Sequence, residues 1–320
     1  MLGRRFRQLA ILGGLGYAGA RAVLGITPGA DDDFFDWKGP TEEDVDVGSA
    51  RVNLPVKYYR DDSFAGFFDA ALEPVRLLLP SPDLHPVTLP GGRAVVVIFA
   101  FNYIETDVGP YGEIAVAIPC IHGQEPLPVV PLALEARYPG FGAFVAHLPV
   151  TSRIARDYGR VVYGYPKFVA DMAFEKQPAY QRVRLSEDGR HILTLTVRQQ
   201  GIPLRDNRPL VTYTVRDGQL VKTTVPSRAM YQLGLLPGSG TLELGDHPVA
   251  DELRHLDIDT RSQLSKNYLA RYGILPGGEA IGPAREYVGH IGVDREYGHL
   301  TANYGGKVVD VYARMHVPTG

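Results

Sequence analysis

From Ala94 onward the chain is a succession of short apolar runs, each closed by turn residues. Ala94–Tyr103 is almost continuously apolar and strand-like in composition, and Glu113–Ile121, Val129–Ala136 and Ala143–Val150 follow between Gly/Pro turns. Further runs lie at Val169–Phe174, Tyr180–Leu185, His191–Val197, Leu210–Val215, Leu220–Val225 and Thr241–Leu244. In His191–Val197 the alternation is clean, with Leu193, Leu195 and Val197 on one face and Thr194 and Thr196 on the other. Asp217-Gly218 joins two such runs and is the strongest hairpin signal in the chain. No βαβ rhythm interrupts the series. Many short strands at turn-spaced intervals predict a mainly antiparallel sheet, closed or strongly bent. Short helices are expected at Phe64–Leu72, after Asp61-Asp62-Ser63, at Arg153–Gly159 after Thr151-Ser152, and at Val249–Leu256.

Composition narrows the chemistry. The net charge is −3 with no basic block, so nucleic acid is not an expected partner. The single cysteine, Cys120, excludes an intrachain disulfide and a cysteine metal cluster, and its apolar surroundings predict a buried, inert thiol. Nine histidines show neither H-E-x-x-H nor paired spacing, so no metal site is expected. Neither a G-x-S-x-G elbow nor a P-loop is present.

Tyr163-Gly-Tyr-Pro-Lys-Phe-Val169 concentrates the chemical interest. Pro166 fixes its own φ and pushes Tyr165 toward an extended conformation, while Gly164 permits a tight approach. Lys167 is then held stiffly among aromatic residues. One reading is a surface lysine at the start of a strand. The other is a desolvated amine of lowered pKa, able to attack a ketone and form a Schiff base.

Gly159-Arg-Val-Val-Tyr-Gly-Tyr-Pro-Lys167 resembles the active-site segment of the acetoacetate decarboxylase family, where the lysine forms the Schiff base. Tyr111-Gly-Glu113, opening an apolar run to Ile118-Pro119, resembles that family's Tyr-x-Glu strand, and Gly240–Leu256 resembles its closing segment. The resemblance covers residues 50 to 260. It implies a mainly β (α+β) fold, an acetoacetate decarboxylase-like antiparallel β-barrel with a few short helices. It also implies a cofactor-free, Schiff-base-forming carbon–carbon lyase acting on a small-molecule keto acid, an acetoacetate decarboxylase-like decarboxylase that forms a homo-oligomer. An aldolase-dehydratase of the same family and a non-catalytic small-molecule-binding barrel are the alternatives. Lys167 and Glu113 match the catalytic positions. Arg51 and Arg160 lie near family arginines and would bind the substrate carboxylate, with Arg153 a further candidate; Tyr165 and Phe168 would line the site. The chain departs from the decarboxylase at Phe168, where a second lysine is expected, and at Val161 and Ile98, where acids are expected. With Phe168 adding desolvation, and lying on the opposite face of an extended segment from Lys167, desolvation is expected to dominate the lysine's pKa.

The sequence divides into residues 1–25, an acidic linker at 26–50, the family-like domain at 51–260 and a Gly/Tyr-rich extension at 261–320. Arg4, Arg5 and Arg7 precede a short apolar stretch ending Ala18-Gly-Ala20, which suits an export signal, a membrane-adsorbed helix or an unstructured extension. Membrane association is expected only through this segment. The domain itself is expected in the cytoplasm, with export the alternative.

Overall fold

The computed structural model describes residues 32–128, 130–133, 138–292, 301–304 and 307–310. The possible signal at residues 1–25 lies outside these. No helix among the described residues is long and apolar enough to cross a membrane.

The chain begins with β1 (Glu42–Asp46), β2 (Arg51–Leu54), the long β3 (Val56–Ala70), helix α1 (Leu72–Leu78) and β4 (Leu84–Pro86). Then come β5 (Ala94–Thr106), β6 (Tyr111–His122), the single turn α2 (Val130–Ala133), β7 (Phe141–His147) and α3 (Arg153–Tyr163). β8 (Asp171–Gln177), β9 (Tyr180–Glu187), β10 (Arg190–Arg198), β11 (Pro203–Asp206), β12 (Leu210–Arg216), β13 (Gln219–Val225), β14 (Ser227–Gly234) and β15 (Gly240–Leu244) follow. α4 (Pro248–His255), β16 (Leu264–Leu275) and β17 (Glu279–Pro283) come next, and Thr301–Tyr304 pairs with Lys307–Asp310 near the C-terminus.

The large sheet runs β11-β14-β16-β3-β5-β6-β7-β12-β13-β17, with β4 added on β6. Its pairings are antiparallel apart from β7 with β12. A smaller sheet, β15-β10-β9-β8, packs on one face. Leu193, Leu195, Val183 and Leu185 of the small sheet meet Phe68, Ile98, Ile118 and Phe144 of the large one, and Val249 and Leu253 of α4 join them. On its other face the large sheet curls: side chains of β14 and of β12, far apart in the strand order, line one cavity. Hydrogen bonding among the described residues leaves the sheet open from β11 to β17, so the mainly β expectation is met and the barrel is not closed.

Several local expectations change. Phe64–Leu72 is not a helix: Phe64 lies in β3, paired with both Ala100 and Asn267. Phe64, Phe67 and Phe68 imitate a helical face because both sides of this central strand are covered. Phe64 and Phe68 enter the main core, while Phe67 faces the cavity. At Val129–Ala136 the described part is the helical turn Val130–Ala133, with Pro131 in a first turn where its missing N–H costs nothing. The acidic stretch at 26–50 contributes β1, paired with β2. The stretch from 261 onward contributes β16, which lies between β14 and β3 in the large sheet. The Asp217-Gly218 hairpin forms as expected, both residues having positive φ (52° and 70°).

Candidate active site

The local sequence around Lys167 folds as a helix stop followed by an extended segment. α3 starts at Ser152, whose Oγ accepts a hydrogen bond from Ala155 N–H. It ends in a left-handed (αL) cap at Gly164, whose N–H donates to Arg160 O, and Tyr165 N–H donates to Gly159 O. Gly164 has φ 68°, and a Cβ there would lie 2.2 Å from Val215 O, so only glycine fits. The chain then runs beside residues 148–150: Leu148 N–H donates to Pro166 O, Val150 N–H to Phe168 O and Ala170 N–H to Val150 O. Val150 also bridges to Glu113 of β6. One short stretch of backbone thus sets the register between lysine and glutamate.

Lys167 Nζ lies 2.8 Å from Glu113 Oε2, and both side chains are buried. The lysine stem rests on α3 at Gly159, where a Cβ would come within 2.5 Å of Lys167 Cδ. Burial works to lower the amine's pKa, but Glu113 and Tyr158 act the other way and carry it above the ordinary lysine value. This corrects the expectation of a lysine kept neutral by desolvation: the carboxylate partner, with Tyr158, outweighs burial and favours the ammonium form of Lys167.

Aromatic residues surround the amine. Nζ is 5.0 Å from the centroid of the Tyr158 ring and 5.7 Å from those of Tyr111 and Tyr165. The hydroxyls of Tyr58, Tyr111 and Tyr158 form a triangle, with the Tyr58–Tyr158 edge at 2.6 Å and the other two at 3.1 Å. Burial, reinforced by Tyr158, pushes the Tyr58 and Tyr111 phenols well above their usual range, so both stay neutral donors. Tyr103 lies 3.4 Å from Glu113 Oε1.

Beside the pair is a cavity of about 70 Å³, whose lining includes Tyr103, Tyr165, Thr212 and Arg271. Arg271 Nη1 bonds Asp61 at 2.9 Å, and its guanidinium stacks 4.9 Å from the centroid of Phe101. Burial opposes its charge, but Asp61, Tyr103 and Tyr268 outweigh that and keep it a cation.

The structure brings Lys167, Glu113 and Tyr165 together around this cavity. The other expected residues are placed elsewhere. Arg51 is exposed on β2 and lines a separate surface cleft with Glu43 and Lys57. Arg160, on α3, donates from Nη2 to Ile291 O, and Arg153 begins the same helix. Phe168 points to the opposite side, into the main core, with His290 edge-on at 4.6 Å. Sequence reasoning missed Arg271, Tyr58 and Tyr158. Arg271 lay beyond the recognised motifs. The tyrosines carry no local signal, since β3, β6 and α3 bring their hydroxyls together only in the fold.

Behind Phe168 lies a second buried group that residue spacing did not suggest: Glu187, His247 and His290. Oε2 of Glu187 is 2.8 Å from His247 Nε2 and 2.7 Å from His290 Nε2. His247 caps α4, its Nδ1 accepting Val249 N–H, so the ring's proton is on Nε2 and is donated to Glu187. His147 is fixed in the same way: Nδ1 accepts His290 N–H, and Nε2 donates to Glu252. Cys120 is buried in the core, and burial raises its thiol to about 12.

The model of the family "Acetoacetate decarboxylase (ADC)" matches residues 64–281, more than half of the chain. The chain belongs to the acetoacetate decarboxylase family. Among solved structures, acetoacetate decarboxylase from Legionella pneumophila is 18% identical with a TM-score of 0.56, covering 80% of this chain and 97% of that one. A second acetoacetate decarboxylase structure has the same identity and score and covers 72% of this chain and 90% of its own. The enduracididine biosynthesis enzyme MppR, complexed with the condensation product of pyruvate and imidazole 4-carboxaldehyde, is 16% identical at a TM-score of 0.51, covering 71% and 89%. At these identities the likeness is one of fold. No curated protein matches the chain.

Proposed function

We propose that the protein is a Schiff-base-forming lyase acting on a keto acid, with decarboxylation of a β-keto acid as its reaction. The observation that carries this reading is the buried Lys167–Glu113 pair at 2.8 Å beside a cavity, in a chain of this family. Glu113 takes a proton from the Lys167 ammonium, freeing the amine to attack the substrate ketone. Loss of water gives a protonated imine. The bond to the carboxylate carbon then breaks, carbon dioxide leaves, and the electron pair is drawn into the iminium nitrogen to give an enamine. Protonation of the enamine carbon by Glu113 and hydrolysis by water return the ketone and the lysine. Arg271, a cation on the cavity wall, is the residue we assign to the substrate carboxylate, with the neutral tyrosines donating hydrogen bonds around it.

One observation favours a second reading. Lys167 has Phe168, not a cation, beside it in the chain, and its pKa is raised. A lysine of that kind also suits condensation through an enamine, as the ligand of the MppR complex implies for that protein. Borohydride with acetoacetate or pyruvate tests both readings. Covalent mass at Lys167 is expected, and its absence with a full keto-acid panel would leave only a binding protein. Release of carbon dioxide against formation of a larger carbon skeleton separates decarboxylase from aldolase.

A further inference from the structure

The cavity at Lys167 abuts a second, much larger one. That chamber has a volume of about 250 Å³, more than three times that of the first. Phe101, Ala115, Val145, Leu210, Thr212 and Arg271 line both. Beyond this shared wall the chamber is largely apolar, faced by Phe67, Val97, Phe99 and Phe141. Its room comes from small residues where strands would otherwise fill the space: Ala117 on β6 and Ala143 on β7. Polar groups gather at its other side, where Asp206, Arg208 and Lys266 are half-buried.

A keto acid of four carbons would use little of this volume. We propose that the substrate carries a bulky apolar substituent, a medium-length alkyl chain or an aryl group, on the side of the ketone away from the carboxylate, and that this substituent occupies the chamber. The proposal rests on the keto-acid reading above and adds the substrate class. Arg271 holds the carboxylate at the boundary between the cavities, Lys167 takes the ketone carbon, and the substituent passes the Ala115–Val145 wall. The apolar lining suits such a group because each methylene removed from water strengthens binding about fourfold. Ala117→Phe places a ring in the chamber and removes that selectivity.

The test compares acetoacetate, its propyl and pentyl homologues and benzoylacetate, using carbon dioxide release by the full chain. Values of kcat/KM are expected to rise about fourfold per added methylene until the chamber is full. The rise is expected to flatten in Ala117→Phe. A flat series in the parent protein overturns the proposal, whether the chamber is unused or already filled by another segment of the chain. A second measurement needs no imine: calorimetric binding of octanoate against butanoate, with octanoate expected to bind at least tenfold more tightly. If no keto acid is trapped by borohydride but octanoate still wins, the chamber stands and the lyase reading falls. If acetoacetate is trapped while octanoate binds no better than butanoate, the lyase reading stands and this proposal falls.

Discussion

Two buried charge clusters lie on opposite sides of the same short segment. On one side Lys167 meets Glu113; on the other Phe168 packs against His290, whose ring shares Glu187 with His247. Each places a carboxylate in the interior beside nitrogen donors. They differ in what else is there. Glu187 receives two imidazole N–H groups, one from a ring whose tautomer is fixed by a helix cap. Lys167 has its carboxylate and a cavity beside it, leading to a larger chamber. Burial of charge alone therefore does not mark a site; a buried charge with room for a ligand does.

Removing the charges separates the two regions most sharply. Lys167→Ala is expected to bring turnover to background and abolish borohydride trapping, while circular dichroism remains that of the parent. Lys167→Arg is expected to fail equally, since guanidinium stays charged and does not attack a ketone. Turnover at the parental rate in either variant would sink the Schiff-base reading. Glu187→Gln, on the packed side, is expected to keep turnover within a few-fold.

Glu113→Gln is expected to lower turnover by about 100- to 10,000-fold, since the proton relay is gone, while some trapping at Lys167 persists. The amine's own titration gives a second readout with a definite sign. In the parent, the carboxylate and Tyr158 raise the lysine pKa above 10.5 against the pull of burial. Without the carboxylate, desolvation remains, and the pKa is expected to fall. Reductive methylation of Lys167 against pH is expected to show its midpoint moving toward neutrality. The stabilisation from the pair follows the same sign: it is fully present below the unfolded value of 10.5 and is lost as pH rises through the higher folded value. An unmoved methylation midpoint would mean that Glu113 does not control the amine.

The Lys167–Glu113 pair was legible in the sequence because each partner sits in a local motif, Tyr-x-Glu on one strand and Tyr-Pro-Lys after a helix stop. Phe168 facing away from Lys167 was legible too, since successive residues of an extended segment alternate. What was not legible depends on strand order. Arg271 reaches the cavity because β16 lies beside β3, a pairing across roughly two hundred residues that no local pattern encodes. The direction of the lysine pKa was missed for an energetic reason. Desolvation is visible in an aromatic-rich motif, but its competition with one ion pair depends on a distance. β3 was misread because a strand covered on both faces loses its alternation and its phenylalanines fall at helical spacing.

A subtler change to the reactive side is Gly159→Ala. The new Cβ would meet Lys167 Cδ and Cε at 2.5 and 2.7 Å, so the lysine stem must shift. Displacement of a reacting group by about 1 Å can cost about 100-fold, and a loss of that order is expected in kcat. The alanine should help the helix slightly, so a decline in activity without a decline in thermal stability is the expected signature. A fall in both together would assign Gly159 to packing alone.

The smallest expected effect tests whether the two sides are independent. His247 caps α4 through Nδ1 and donates to Glu187 through Nε2. His247→Ala removes both interactions and is expected to cost about 1–3 kcal/mol in urea denaturation. His247→Asn restores a side-chain acceptor for Val249 N–H, because asparagine is among the strongest N-caps, but it is too short to take the place of the imidazole at Glu187. It should recover about 1 kcal/mol of the loss, and the remainder measures the bond to Glu187. In both variants, turnover and the methylation midpoint of Lys167 should match the parent, because Phe168 separates the imidazoles from the amine. A shift of that midpoint in His247→Asn, where the cap is intact, would show that Glu187 and Lys167 sense one another. The segment between them would then transmit charge from one side of the core to the other.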